Sequence, residues 1–534
     1  MNHIPLTDLL TLTPVALAPL WLLAFLLIPE RIANRHGRRF ALFGSWSALG
    51  VLGLAVLAMI ARFTFGPLAL EVAAAGPLTL DIYFDTLSSV MLLLVAFLGA
   101  VVMRYSVNYL AGDPRQGRFI KWLGVTIGTV LTLIVTGNLL MFTLAWVATS
   151  LSLHQLLIFH TDRPAAILAA WKKFVISRIG DACLIGALIM TWQCFGTWKF
   201  TGMFDAANAL RAQGGPLPPG LGWSSVLLVA GALLKSAQFP FHSWLPDTME
   251  TPTPVSALMH AGIINAGGFL VVRLSPIIAG SPVSLNALAL IGAFTALFAS
   301  MIMLTQTSVK RSLAYSTIAQ MGFMMLQCGL GAFALAILHI VAHSLYKAHA
   351  FLSSGSIVSM TKAAWVPAER PAAHPGILAG TLVTAVAMTC VIGTLFGLTA
   401  ASGAGVLLLG SVFMMALSYL LWSLWASSHR ASLIGWGLLV GAGAATAYFA
   451  LHAAFEKLLA SSLPPYKPAR SPLEYSVMGL IVLLFMAVLI VQSQLPAWSA
   501  TRLGRKLYVH ASQGFYLGAL ANRVTLACMR KPAA

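Results

Sequence analysis

Charge is scarce in this sequence. Asp, Glu, Lys and Arg make up 9% of its 534 residues and hydrophobic residues 59%, whereas a soluble globular chain carries about 25% charged residues. That shortage excludes a soluble fold. Acids are scarcer than bases, 14 Asp and Glu against 32 Lys and Arg, for a formal net charge of +18. Cysteine is almost as sparse. Cys183, Cys194, Cys328, Cys390 and Cys528 are scattered without a CxxC pair, so neither a disulfide framework nor an iron–sulfur or zinc site is indicated. No GxGxxG or Walker loop stands between a strand and a helix, which removes nucleotide chemistry. The aqueous-looking segments are 195–222, 361–375, 456–472 and the tail after Pro496. None approaches the roughly 50 residues that an independent soluble domain needs.

What fills the chain is apolar runs of about 18 or more residues, the length that crosses a bilayer as a helix. The pattern predicts about fifteen spans, near 14–30, 41–62, 86–103, 122–136, 138–160, 173–194, 223–240, 252–272, 283–304, 312–331, 332–358, 376–398, 404–425, 431–455 and 473–494. The first has neither a basic leader nor a small-residue cleavage site and is expected to be retained. Basic residues fall in alternate loops: Arg31, Arg35, Arg38 and Arg39; Arg104, Arg115, Arg118 and Lys121; Arg163, Lys172 and Lys173; Lys310 and Arg311; Arg502, Arg505 and Lys506. By the positive-inside rule the amino terminus lies outside and the carboxyl terminus in the cytoplasm. The positive charge thus reads as membrane orientation, and no nucleic-acid partner is expected. The basic, apolar tail reads as an amphipathic helix on the lipid surface, with a docking arm as the other reading.

Against this background the ionisable residues inside spans stand out. Lys235 lies in SVLLVAGALLKSAQFPF, where a lysine at bilayer depth costs about 2.5–3.5 kcal/mol. Pro240 follows. It has no N–H for the Ser236 carbonyl and its ring crowds that group, so the helix is expected to break beside the lysine. Broken backbone at that depth survives only when packed in protein or lining a wet cavity. A cation, a freed carbonyl and water together predict a proton or ion path. Asp181 is the clearest intramembrane acid. Arg178, three residues before it on the same face, could neutralise it locally; otherwise it is a counter-charge for Lys235. His339, His343 and Lys347 are spaced four and four, climbing one helical face in steps of about 6 Å. That spacing suits single-water bridges between groups that exchange protons near neutral pH. The HxxxH pair also resembles a metal site, but Lys347 is no ligand and no Glu lies between the histidines, so no metal is expected. His260, among small residues in SALMHAGIINAGG, is the expected link between Lys235 and the histidine row.

Four motifs, KKFVISRIGD (172–181), LLKSAQFPFHSWLPDTMETPTPVSALMHAG (233–262), TSVKRSLAYSTIAQMGFMML (307–326) and LHIVAHSLYKAHAFLSSGS (338–356), resemble the antiporter-like membrane subunits of respiratory complex I and of multisubunit Na⁺/H⁺ antiporters. The resemblance covers roughly residues 80–360, with the motifs in the family's order. It implies an all-α polytopic antiporter-like fold with two inverted repeats and discontinuous helices. The chain then divides into 1–120, N-terminal helices; 121–275, a first repeat with the broken seventh helix; 276–430, a second repeat; and 431–534, C-terminal helices with the basic tail. On the matching positions Lys235 is the central lysine of the broken seventh helix and His260 the eighth-helix histidine. His339, His343 and Lys347 match the connecting relay, and Arg178 and Asp181 the sixth-helix pair. Two positions depart from the family. Val147 follows Trp146 where the family has a fifth-helix glutamate; His154, seven residues on and on the same face, is the candidate substitute. Residues 376–428 hold no Asp, Glu, Lys, Arg or His, where the family has a twelfth-helix lysine or glutamate exit group.

Within the family, the closing GFYLGALANRVTL and the lack of a long lateral helix after the fifteenth span most resemble the DabB-type membrane subunits of bacterial inorganic-carbon pumps. That resemblance implies a multi-pass protein of the bacterial inner membrane that conducts H⁺, or alternatively Na⁺. It would not be an enzyme and would hold no cofactor of its own. Its partner would be a DabA-type, carbonic-anhydrase-like protein that holds zinc and hydrates CO₂. Other readings are a subunit of a Na⁺/H⁺ antiporter or quinone-linked proton pump, a non-conducting anchor, and an intramembrane metalloenzyme.

Overall fold

The computed structural model describes residues 5–75, 78–212, 218–355, 375–399, 403–425, 431–463, 471–499 and 501–529. Parts of the connections read as 195–222 and 456–472, and nearly all of 361–375, lie outside the described residues. The order is α1 (Leu6–Leu23), α2 (Gly37–Phe65), β1 (Leu68–Ala75), β2 (Leu78–Phe84), α3 (Thr86–Tyr109), α4 (Gln116–Val135), α5 (Leu139–Leu157), α6 (Pro164–Phe195) and α7 (Pro219–Lys235). Next come α8 (Thr253–Arg273), α9 (Pro282–Met303), α10 (Val309–Gly329), α11 (Phe333–Leu352), α12 (Pro375–Leu395), α13 (Ala404–Trp425), α14 (Ala431–Leu459) and α15 (Pro472–Ser499). Two tail helices follow, α16 (Arg502–Ser512) and α17 (Leu517–Met529).

Thirteen of these helices are long and apolar enough to cross a membrane. The chain is a multi-pass membrane protein. The expected count of about fifteen is not reached on that measure, because α7 has only 17 residues and Lys310, Arg311, Ser316, Thr317 and Gln320 dilute the apolar run of α10. Outward faces carry exposed Trp46, Trp223, Val383, Trp436 and Leu483, a coat of apolar side chains that fits lipid and not water. The centre is different. Every residue of α8 is buried.

The chain is not helical throughout. β1 and β2 form an antiparallel hairpin with Leu68 opposite Phe84 and Leu70 opposite Ile82. The period-2 alternation in LTLDIYF is a strand signal that a search for apolar spans passes over. The second correction concerns Lys172 and Lys173. Alternation of charge places them in a basic loop, with a span beginning at 173; instead both lie within the 32-residue α6, 1% and 2% exposed.

Contacts among the connecting segments fall into two groups. At the end where the basic loops gather, Arg118 pairs with Glu30, Lys172 with Asp247, and Gln306 Nε2 donates to the Ser512 carbonyl. At the other end Lys199 pairs with Glu71, Asn138 Nδ2 donates to Asp81 Oδ2 and Arg273 meets Asp85.

α9 and α10 touch backbone to backbone. A Cβ placed on Gly322 would lie 2.5 Å from the Ala296 nitrogen and 2.7 Å from the Gly292 carbonyl oxygen, the close approach that small residues permit between membrane helices. Gly322→Ala is therefore expected to destabilise the protein by about 1–3 kcal/mol through overpacking. Gly50→Ala, whose added Cβ would meet nothing within 4 Å, serves as the control. The thermal midpoint in detergent measures both.

Candidate functional site

α7 ends at Lys235, beside the lysine, with the Ser236 N–H on the Ala232 carbonyl and the Gln238 N–H on the Leu233 carbonyl. Ala237 takes a positive φ of 50° to close the turn. The Ser236 carbonyl, which Pro240 cannot satisfy, accepts instead from Gln238 Nε2 at 2.8 Å. Lys235 stays inside, 8% exposed. Its Nζ lies 4.4 Å from the Trp146 ring centroid on α5, a cation–π geometry worth about 2 kcal/mol when desolvated. That Nζ has no hydrogen-bond partner among the described residues.

α6 supplies the charges facing it. Arg178 Nη2 stands 2.7 Å from Asp181 Oδ2 on the same helix. The local ion pair with Arg178 is thus formed, and the Asp181 charge also acts on Lys235. Val147 contributes no charge. His154 lies two turns beyond Trp146, about 12 Å along the helix, against Trp171 and Phe174 at centroid distances of 5.6 and 5.1 Å. Between these two positions sits Lys173, whose Nζ donates to the Ser150 carbonyl at 2.9 Å and to the Ser150 hydroxyl at 2.8 Å.

α8 is interrupted at Gly262–Asn265, where Ile263–Asn265 form a single tight turn. This break faces the break in α7. Ser236 Oγ donates to the Ile264 carbonyl at 2.8 Å, so each interruption satisfies a polar group of the other. Asn265 Nδ2 then bridges to the Ala261 carbonyl and to Ser344 Oγ on α11, both at 2.8 Å. Ser344 adjoins His343. His339 and His343 have ring centroids 6.1 Å apart, as their four-residue spacing dictates, and His339 Nδ1 is 3.1 Å from Gln327 Oε1. Lys347, fully buried, donates to the Leu313 carbonyl at 3.1 Å. His260 stacks on Phe351 at 4.4 Å with both ring nitrogens unpartnered among the described residues. The hydrogen-bonded link from α8 to α11 therefore runs through Asn265, which the search for ionisable groups overlooked.

Two polar clusters lie toward one end of the molecule. At the Asp85 end, Arg273 Nη1 and Nη2 each donate to a separate Asp85 oxygen at 2.9 Å, and both side chains are almost wholly buried. Farther out, the Glu71 carboxylate holds the Lys199 ammonium above its usual pKa. The arrangement thus joins a buried amine at a helix break, one carboxylate, two stitched breaks and a row of two histidines and a lysine.

Comparisons with known proteins identify the family. Residues 136–435 match the family model described as NADH:quinone oxidoreductase/Mrp antiporter, TM, and residues 73–120 match that of the complex I chain 5 N-terminus. The "Probable inorganic carbon transporter subunit DabB2" of Halothiobacillus neapolitanus is 39% identical over 529 residues, 96% of this chain and 92% of the relative. The "Probable inorganic carbon transporter subunit DabB" of Hydrogenovibrio crunogenus is 45% identical over 51% of this chain and 52% of its own length. Subunit 5 of the chloroplast NAD(P)H-quinone oxidoreductase of Lemna minor is 40% identical over 52% of this chain but 37% of its own. Among solved structures, a chain of the Mrp complex from Dietzia sp. DQ12-45-1b shares the fold with a TM-score of 0.61 and 23% identity, over 99% of this chain and 60% of that one. The chain belongs to the NADH:quinone oxidoreductase/Mrp antiporter family of membrane subunits, together with the DabB-type inorganic-carbon transporter subunits.

Proposed function

We propose that this protein is the cation-conducting subunit of an energy-coupled inorganic-carbon transporter. H⁺, or alternatively Na⁺, flows inward along the Lys235–α8–α11 line. That flow drives one-way CO₂ hydration and bicarbonate accumulation by a zinc-containing DabA-type partner. The observation that carries this reading is Lys235 itself: a buried amine at a helix break, with the Asp181 charge acting on it and no hydrogen-bond acceptor among the described residues. A polar group left so at bilayer depth is where water binds. Each charge crossing 100 mV releases about 2.3 kcal/mol, enough to bias a partner's cycle if both share two conformations. The basic loops and the tail meet at one end, and that end is assigned to the cytoplasm. Catalysis and zinc are assigned to the partner.

The uncharged stretch 376–428 favours one competing reading, a membrane anchor that conducts nothing. A protonophore separates the two. Its addition to cells that depend on the complex is expected to collapse labelled-bicarbonate accumulation to background. Accumulation at the untreated level would support the anchor. Purification should also bring down a large soluble zinc protein; recovery of several small membrane subunits instead would point to an antiporter assembly.

A further inference from the structure

We propose that Lys173 is a second proton-carrying amine of the path, passing protons between the basic-loop end of the molecule and Lys235. The inference rests on the conducting role proposed above. Its basis is the face that α5 presents to α6 and α7. Trp146 carries Lys235 on its ring. One turn on, Ser150 holds Lys173 by its carbonyl and hydroxyl. One turn further, His154 leaves its Nδ1 unpartnered among the described residues. Its neighbour Gln155 accepts from Arg118 Nη2 at 3.2 Å, on the helix that opens from a basic loop. Three proton-holding groups therefore line one helix at steps of about 6 Å, from the charged end to the helix break.

The charges around Lys173 give the row its alternation. The charges acting on Lys173 are Arg178 and Asp181 of its own helix and Lys235 of α7, and Lys173 in turn acts on His154 of α5. Three cations thus share a single carboxylate, and the neutral Val147 adds none. Two amines in that setting titrate as a pair, so a proton held by one disfavours a proton on the other. In inward flow, an N–H bond on Lys235 breaks as one forms on neutral Lys173. Lys173 then gives up a proton through His154 to solvent at the basic-loop end and is neutral again. A mere packing contact between α5 and α6 would need only the donors, not their release.

That difference sets the test. The complete complex, with its partner, is reconstituted into vesicles, and proton flux under an imposed potential is read with an entrapped pH dye. Lys173→Arg keeps the charge and the donors but does not release a proton, and Lys173→Gln keeps a donor without the charge. Both are expected to lose about a hundredfold in flux, the lower range for removing a proton-transfer group. Lys173→His retains a transferable proton and is expected to recover part of it. Wild-type flux in the Arg or Gln variant, or a His variant as inactive as the Gln one, would overturn the proposal. Lys235→Ala, measured alongside, separates the levels: if it too conducts normally, the conducting role itself fails.

Discussion

Replacing Lys235 with alanine is expected to leave the complex assembled and to abolish its bicarbonate accumulation. The two halves of that expectation have different causes. Assembly should survive because Nζ makes no hydrogen bond to the described residues. The loss is then confined to the Trp146 cation–π contact, about 2 kcal/mol or less, and is offset by no longer burying an ammonium. Transport should fail because Lys235 supplies the amine at the break itself, and Lys173, one turn along α5, is held by Ser150. Lys235→Arg is expected to fail equally, since a guanidinium holds its proton permanently. Labelled-bicarbonate uptake in cells, with size-exclusion profiles of the solubilised complex, measures both halves. Unchanged uptake in the alanine variant would remove the lysine from the mechanism.

The second large effect concerns stability. Removing Arg273 should leave the Asp85 carboxylate buried without its bidentate partner, and breaking a buried pair from one side costs about 3–5 kcal/mol. Asp85 also accepts from the Ser88 N–H at 2.8 Å and so caps α3. Asp85→Ala should therefore lose a further 1 kcal/mol or so. The combination Asp85→Asn with Arg273→Met removes both charges, keeps a capping oxygen and fills the volume, and should recover most of the loss. Thermal midpoints in detergent for the single and combined variants form the cycle. Additive effects would show that the pair is not coupled.

The parts of the site that could be read from the sequence are those set by local rules. Pro240 lacks an N–H, so a break near Lys235 follows from the chain alone. Four-residue spacing puts His339, His343 and Lys347 on one face. Motif order identifies the family, which the whole-length relative confirms. The parts that could not be read depend on partners far apart in the chain. Lys172 and Lys173 look like loop residues beside Arg163, because what allows their burial, Asp247 and Ser150, lies 75 and 23 residues away. Asn265 is uncharged and meets Ser344 across 79 residues. Arg273 and Asp85 are 188 residues apart, and each reads alone as an ordinary residue at a membrane surface. The hairpin escaped notice for another reason: its alternation is short, and the apolar runs on both sides dominate any long window.

The bond from the Ser236 hydroxyl to the Ile264 carbonyl makes the two bent helices a single heritable unit. A substitution that straightened one of them would strand its neighbour's oxygen in hydrocarbon, a penalty of several kcal/mol. Neither kink can then be repaired by itself. Displacement of the lysine's helix is then expected to carry the adjoining one with it, so the proposed proton movement would have a mechanical route across the protein in addition to an electrical one.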